Sequence, residues 1–150
     1  MQRRGFLRTG LATLLSAGGS GMALATPESA KLSFAELYKS RTVLGMAFSD
    51  RTVALAGKPV TLAGYMAPPL KPESNFFVLT RTPVAICPFC SSDADWPSDI
   101  VVVYLKDPTG FFQDGSAVSV AGTLQLGSRR DPETGFVSQL RIVDASVKKL

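Results

Sequence analysis

Apolar and polar positions alternate with a period of two over much of the chain, the spacing that puts one face of a strand in a core. Pro59 to Met66 reads Pro-Val-Thr-Leu-Ala-Gly-Tyr-Met, a strand with a glycine inside it. Asn75 to Thr80 reads Asn-Phe-Phe-Val-Leu-Thr, and Pro83-Val84-Ala85-Ile86 follows. Ile100 to Leu105 is an unbroken apolar run, suited to a central strand. Ala117 to Leu126 sets Val118, Val120, Gly122, Leu124 and Leu126 on one side. Gly135 to Val147 supplies a last strand, with Val137, Leu140, Ile142 and Val143 apolar. Turn chemistry separates these runs: Asp107-Pro108-Thr109-Gly110, and the hairpin tip Asp131-Pro132-Glu133-Thr134-Gly135.

The segment before Pro59 reads differently. Thr26 to Lys31 is a short polar lead. Ser33-Phe34-Ala35-Glu36 has the pattern of a capping box, serine at the N-cap and glutamate three residues on. Leu32, Phe34, Leu37 and Tyr38 give the predicted helix an apolar side, and Gly45 argues that it ends by about Thr42. The rest of the chain predicts strands.

A weak echo links two of them. Gly57-Lys58-Pro59-Val60-Thr61-Leu62-Ala63-Gly64 resembles Gly115-Ser116-Ala117-Val118-Ser119-Val120-Ala121-Gly122. Each is a glycine turn, a strand, and a glycine within the strand, where a bulge or sharp bend is expected. Two such bends suit a closed barrel. Five or six short strands with one short helix predict a mainly β, OB-like barrel. A β-sandwich is the alternative.

The first 25 residues predict an export signal. Arg3-Arg4-Gly5-Phe6-Leu7-Arg8 has the twin-arginine pattern. A mildly apolar stretch from Leu11 to Leu24 follows, then Ala23-Leu24-Ala25 as a small-x-small cleavage site. The stretch is too short and glycine-rich for a stable membrane span. Residues 26–150 are then expected as one domain in the periplasm, not an integral membrane protein. The whole chain has 16 Lys and Arg against 12 Asp and Glu, a net +4. Arg3, Arg4 and Arg8 fall in the signal, which has no acid, so thirteen bases face twelve acids in the remainder. Its basic residues are scattered. A nucleic-acid partner, which needs a basic stripe, is not expected.

The chain has no histidine and only two cysteines, Cys87 and Cys90. The commonest general base and the commonest metal ligand are thus missing together. Also missing are a Gly-x-Ser-x-Gly elbow and a phosphate-binding glycine loop, so no catalytic residue is assigned. Two thiols spaced Cys-x-x-Cys can reach one point in space, which serves a disulfide, a metal or a redox cycle. An oxidising compartment favours the disulfide. A metal, Zn or Cu(I), would need help from Asp93 or Asp95, from a second chain, or from Met66. Thiol–disulfide exchange normally needs a helix beginning at the first cysteine, and Ser91 to Pro97 is too short and polar for one. Phe76, Phe77, Tyr104, Phe111 and Phe112 read as core at strand spacing, and Trp96 as a cap beside the cysteine loop.

Within Val60 to Tyr104, Gly64-Tyr65-Met66, Pro69-Leu70, Phe76-Phe77-Val78-Leu79, Cys87 and Ile100-Val101-Val102-Val103 carry a family likeness. The segment resembles the domain-of-unknown-function family 3299 of small exported bacterial proteins. That resemblance implies an OB-like barrel and a link to ABC transporters concerned with metal homeostasis. Where that family has cysteine-x-histidine and a proline-rich run, this chain has Cys87-Pro88-Phe89-Cys90-Ser91-Ser92-Asp93-Ala94-Asp95. Taken together, the expectation is a periplasmic binding or accessory protein, metal-binding through the Cys-x-x-Cys loop and associated with a transporter. A thiol–disulfide oxidoreductase and a structural module with an inert disulfide are the alternatives.

Overall fold

Eight strands, one turn of 3-10 helix and one short α-helix make up the described part of the molecule. A computed structural model describes residues 27–42, 45–68, 75–84, 97–107 and 115–150. The strands are β1 (Ala30–Leu32), β2 (Tyr38–Thr42), β3 (Gly45–Phe48), β4 (Pro59–Met66), β5 (Phe76–Thr80), β6 (Ile100–Leu105), β7 (Ala117–Arg130) and β8 (Val137–Lys149). The helix α1 spans Asp50–Ala54.

Five strands close a ring. The sheet order is β1-β4-β5-β6-β8-β7, and β7 returns to pair with β4. β1 lies parallel to the first half of β4, outside the ring. Going round, β4–β5, β5–β6, β7–β8 and β4–β7 are antiparallel, and β6–β8 is parallel. This is the strand order of a five-stranded Greek-key barrel of the OB type, and the β4–β7 closure removes the open edges of a sandwich. The alternating residues Leu62, Leu79, Val101, Val103, Val120, Leu124, Leu140 and Ile142 fill the interior, each at most 1 % exposed. Burying each such side chain contributes about 1.5–3 kcal/mol.

The two echoing segments pair with each other. Val60 stands opposite Gly122, Leu62 opposite Val120 and Gly64 opposite Val118. Each glycine lets another strand come close. A Cβ on Gly64 would lie 2.7 Å from the Thr80 carbonyl oxygen and 3.0 Å from Phe34 Cε2. Opposite Gly122, β8 holds one residue too many: Thr123 pairs Val143 and Ala121 pairs Ser146, so Asp144 and Ala145 share one place. Asp144 has φ 50°, the left-handed conformation of a bulge residue. Replacing it with glycine is expected to keep or raise the thermal midpoint. Asp144→Val should cost about 1–3 kcal/mol of stability in urea unfolding, because a β-branched side chain resists that conformation. Equal midpoints for the two variants would mean that the bulge relaxes.

Contrary to the expected helix from Ser33 to about Thr42, only Phe34–Glu36 is helical, as one 3-10 turn. The capping box does form: the Ser33 N–H and hydroxyl both donate to the Glu36 carboxylate, at 3.0 and 2.7 Å. The helix does not propagate, because tertiary partners take its next groups. The Glu36 carbonyl accepts from the Ser49 and Thr52 hydroxyls, and the Leu37 carbonyl from the Ser49 N–H. Tyr38–Thr42 pairs instead with Gly45–Phe48, with Tyr38 stacked on Phe48 at 5.2 Å. Phe34 and Leu37 are drawn into the core beside Leu32. Residues Asp50–Ala54, expected as strand, form α1 behind the N-cap Ser49, whose hydroxyl accepts from the Thr52 N–H at 3.1 Å. The polar lead also corrects: Ala30–Leu32 is a strand.

Candidate functional site

The β5–β6 hairpin is buried on both faces. Its inward residues Phe77, Leu79, Val101 and Val103 alternate with Phe76, Val78, Thr80, Ile100 and Val102, and none of these nine exceeds 3 % exposure. The hairpin ladder ends at Thr80 opposite Ile100. One further bond closes its mouth, the Arg81 N–H donating to the Asp99 carbonyl at 2.9 Å. The Thr80 hydroxyl lies 2.7 Å from the Thr82 carbonyl oxygen and fixes the exit of β5. The two described ends of the segment between Thr82 and Ser98 are therefore held together at one point. The segment carries Cys87, Cys90, Asp93, Asp95 and Trp96, all of which lie outside the described residues, as do Phe111 and Phe112. Among the described residues, no group of three or more acidic, cysteine or histidine side chains is arranged to hold a metal.

At the far end of β6, a second group of polar side chains is brought together. The β7–β8 hairpin is longer than the barrel needs, and its tip lies beside Tyr104. Asp131, 4 % exposed, organises the tip. Its Oδ1 accepts from the Glu133 N–H at 3.2 Å, the Thr134 N–H at 2.9 Å and the Thr134 hydroxyl at 2.8 Å. Its Oδ2 accepts from the Tyr104 hydroxyl at 3.1 Å. Burial alone would raise the Asp131 carboxyl, but these bonds outweigh it and hold its pKa below the ordinary value. Burial, with the Asp131 charge beside it, pushes the Tyr104 phenol up to about 12. Phe76 packs between Tyr104 and Phe136, with ring centres 5.2 and 5.9 Å apart. The Arg129 guanidinium lies over the Tyr104 ring at 5.3 Å.

Arg141 completes the group from β8, where it pairs with Gln125 of β7 and Val102 of β6. It is 6 % exposed. Its Nε donates to Gln125 Oε1 at 3.0 Å, and its Nη1 to the Gly127 carbonyl at 2.8 Å and to the Ser138 carbonyl and hydroxyl at 3.3 Å. All of these acceptors are neutral. Desolvation lowers its pKa, and the Arg129 charge lowers it further. Sequence reasoning recognised Tyr104 as an aromatic and Asp131 as a turn residue, but not Arg141. A lone arginine on an alternating strand reads as solvent-facing; its acceptors Gln125, Gly127 and Ser138 come together only when β7 and β8 pair.

In OB barrels the outer face of the second and third strands binds oligonucleotides or oligosaccharides. Here those strands are β5 and β6, and that face is buried within the chain. No helix among the described residues is long and apolar enough to cross a membrane.

No family model matches the chain. No curated protein matches it either. Among solved structures, it is similar to the crystal structure of a DUF3299 family protein from Pseudomonas aeruginosa PAO1, with a TM-score of 0.49 and 14 % identity. The match covers 82 % of this chain and 97 % of that one. The solved protein is thus of the family that the segment from Val60 to Tyr104 resembles.

Proposed function

We propose that the chain is an exported binding or accessory protein of the bacterial envelope, working through the cysteine-bearing segment between β5 and β6. The carrying observation is the mounting of that segment. Both its arms are strands of the most deeply buried hairpin, and the Arg81–Asp99 bond closes its base. A site that must keep its geometry gains from a rigid base. The chain's lack of histidine and the occupied carboxylate of Asp131 favour binding over catalysis. The buried outer face of β5 and β6 disfavours an oligonucleotide ligand. The twin-arginine pattern at Arg3-Arg4 gives the compartment, and a transporter of the envelope is the proposed partner.

In this reading, Cys87 and Cys90 hold a soft metal as thiolates, Cu(I) at low coordination or Zn with oxygen from Asp93 or Asp95. Protein recovered from a periplasmic fraction without chelator is expected to carry close to one metal per chain or per dimer. Cys90→Ser should lose it. Protein with neither metal nor free thiol would make the pair an inert disulfide, with a potential below about −300 mV. A potential well above that value, with exchange onto a partner thiol, would make the protein an oxidoreductase instead. Absence from the periplasmic fraction would overturn the export reading.

A further inference from the structure

A buried cation normally has a carboxylate opposite it, because removing it from water costs several kcal/mol even after relaxation. Arg141 has none among the described residues. Its hydrogen bonds, all to neutral oxygens, engage Nε and Nη1, and Nη2 has no acceptor there. The nearby carboxylate, Asp131, is not paired with it: both its oxygens serve the hairpin turn and Tyr104. A second guanidinium, Arg129, lies over Tyr104 and is exposed, without an ion pair among the described residues. Arg129 lies 5.3 Å from the Tyr104 ring centre, and Arg141 stands opposite Val102, two residues before Tyr104 on the same strand. Two like charges around one tyrosine, one of them buried, leave a local excess of positive charge. An anion held there would offset that excess.

We propose that Arg129 and Arg141, beside Tyr104, form a binding site for a small oxyanion, a phosphate or carboxylate group. The chemistry suits such a group. A planar guanidinium presents paired donors to two oxygens at once, and burial strengthens the attraction. Arg141, fixed by Gln125, Gly127 and Ser138, supplies the rigid half. Arg129, exposed on the hairpin, supplies the half that meets solvent. The site lies at the C-terminal end of β6, whereas the cysteine-bearing segment joins its N-terminal end. The two sites are therefore separable by mutation.

The test measures the thermal midpoint of the mature chain near neutral pH in inorganic phosphate, acetate and chloride at matched ionic strength. Phosphate is expected to raise the midpoint saturably above that in chloride. A rise in acetate as well assigns the site to oxyanions generally, and a rise in phosphate alone assigns it to phosphate. Arg129→Gln, an exposed change, should leave the midpoint in chloride nearly unaltered and weaken phosphate binding by about tenfold or more, the loss of one charge-assisted contact. Arg141→Met should abolish the response. If that variant does not fold, Arg129→Gln decides alone. Equal midpoints in phosphate and chloride, or a full phosphate response in Arg129→Gln, would overturn the site.

Discussion

Replacing Gly122 with valine is expected to cost at least about 3 kcal/mol, at the upper end of what overpacking a core does. A Cβ there would lie 2.6 Å from Ile142 Cγ2, 2.6 Å from the Val143 carbonyl oxygen and 3.0 Å from Ala145 Cα. Two of these three are backbone atoms of β8, and they are placed by the bulge at Asp144. Relief would require β8 to move away from β7, breaking rungs on both sides of the bulge. For a domain of this size the loss corresponds to roughly 10–15 °C in the midpoint. Gly64→Val should be milder, because two of its three close neighbours are the side chains of Leu79 and Phe34. A Gly122→Val protein that melts within a few degrees of the parent would mean the β7–β8 ladder can open there without penalty.

The second large effect is expected at Asp131. Asp131→Ala leaves the Thr134 N–H and hydroxyl, the Glu133 N–H and the Tyr104 hydroxyl without their acceptor in a turn whose centre, Asp131, is buried and whose rim is exposed. The expected loss is about 3 kcal/mol by urea unfolding. The same carboxylate sets a pH dependence. Its pKa is lower in the folded chain than in the unfolded one. Its contribution is therefore complete above the unfolded value, near 4, and fades as pH falls through the lower folded value. Tyr104 acts at the other limit. Its folded value is raised, so its contribution is complete below its ordinary value of 10.0 and is lost as pH rises toward about 12. The stability difference between the parent and Asp131→Asn should accordingly shrink below about pH 4. A difference that stays constant down to acid pH would show that the charge of Asp131 contributes nothing.

The barrel was legible because its strands obey one rule. Pro59–Met66 and Ile100–Leu105 end where their apolar patterns end, at turn residues on either side. The echo between the two glycine strands also had a physical basis, since those strands are direct partners whose glycines admit β5 and β8. The N-terminal segment was not legible. Ser33 and Glu36 form the expected box, yet a capping box can start a helix without sustaining it. Ser49 followed by Asp50 was the readable signal for α1, an N-cap with an acid in the first turn. Asp144 was hidden, because its bulge arises only where β8 meets both β6 and β7. Arg141 was hidden for a related reason: β8 alternates as if one face were wet, and the acceptors that hold Arg141 come from β7 and the hairpin only once the strands pair. The cysteine pair was legible as a motif from its spacing alone.

The ring has one thin seam. β4 and β5 share only the rungs Tyr65–Thr80 and Met66–Leu79, extended by the Ala67 N–H donating to the Val78 carbonyl. Every other junction is longer. When the native molecule breathes, this seam should part first, and amide protons along it should exchange with solvent before those of β7 and β8. Such an opening unzips the barrel into a curled ribbon without unfolding it. It releases β5 from β4 only, because β5 keeps its five rungs to β6 and β6 stays on β8. The hairpin that mounts the cysteine-bearing segment would thus swing as one unit, its base still closed by the Arg81–Asp99 bond.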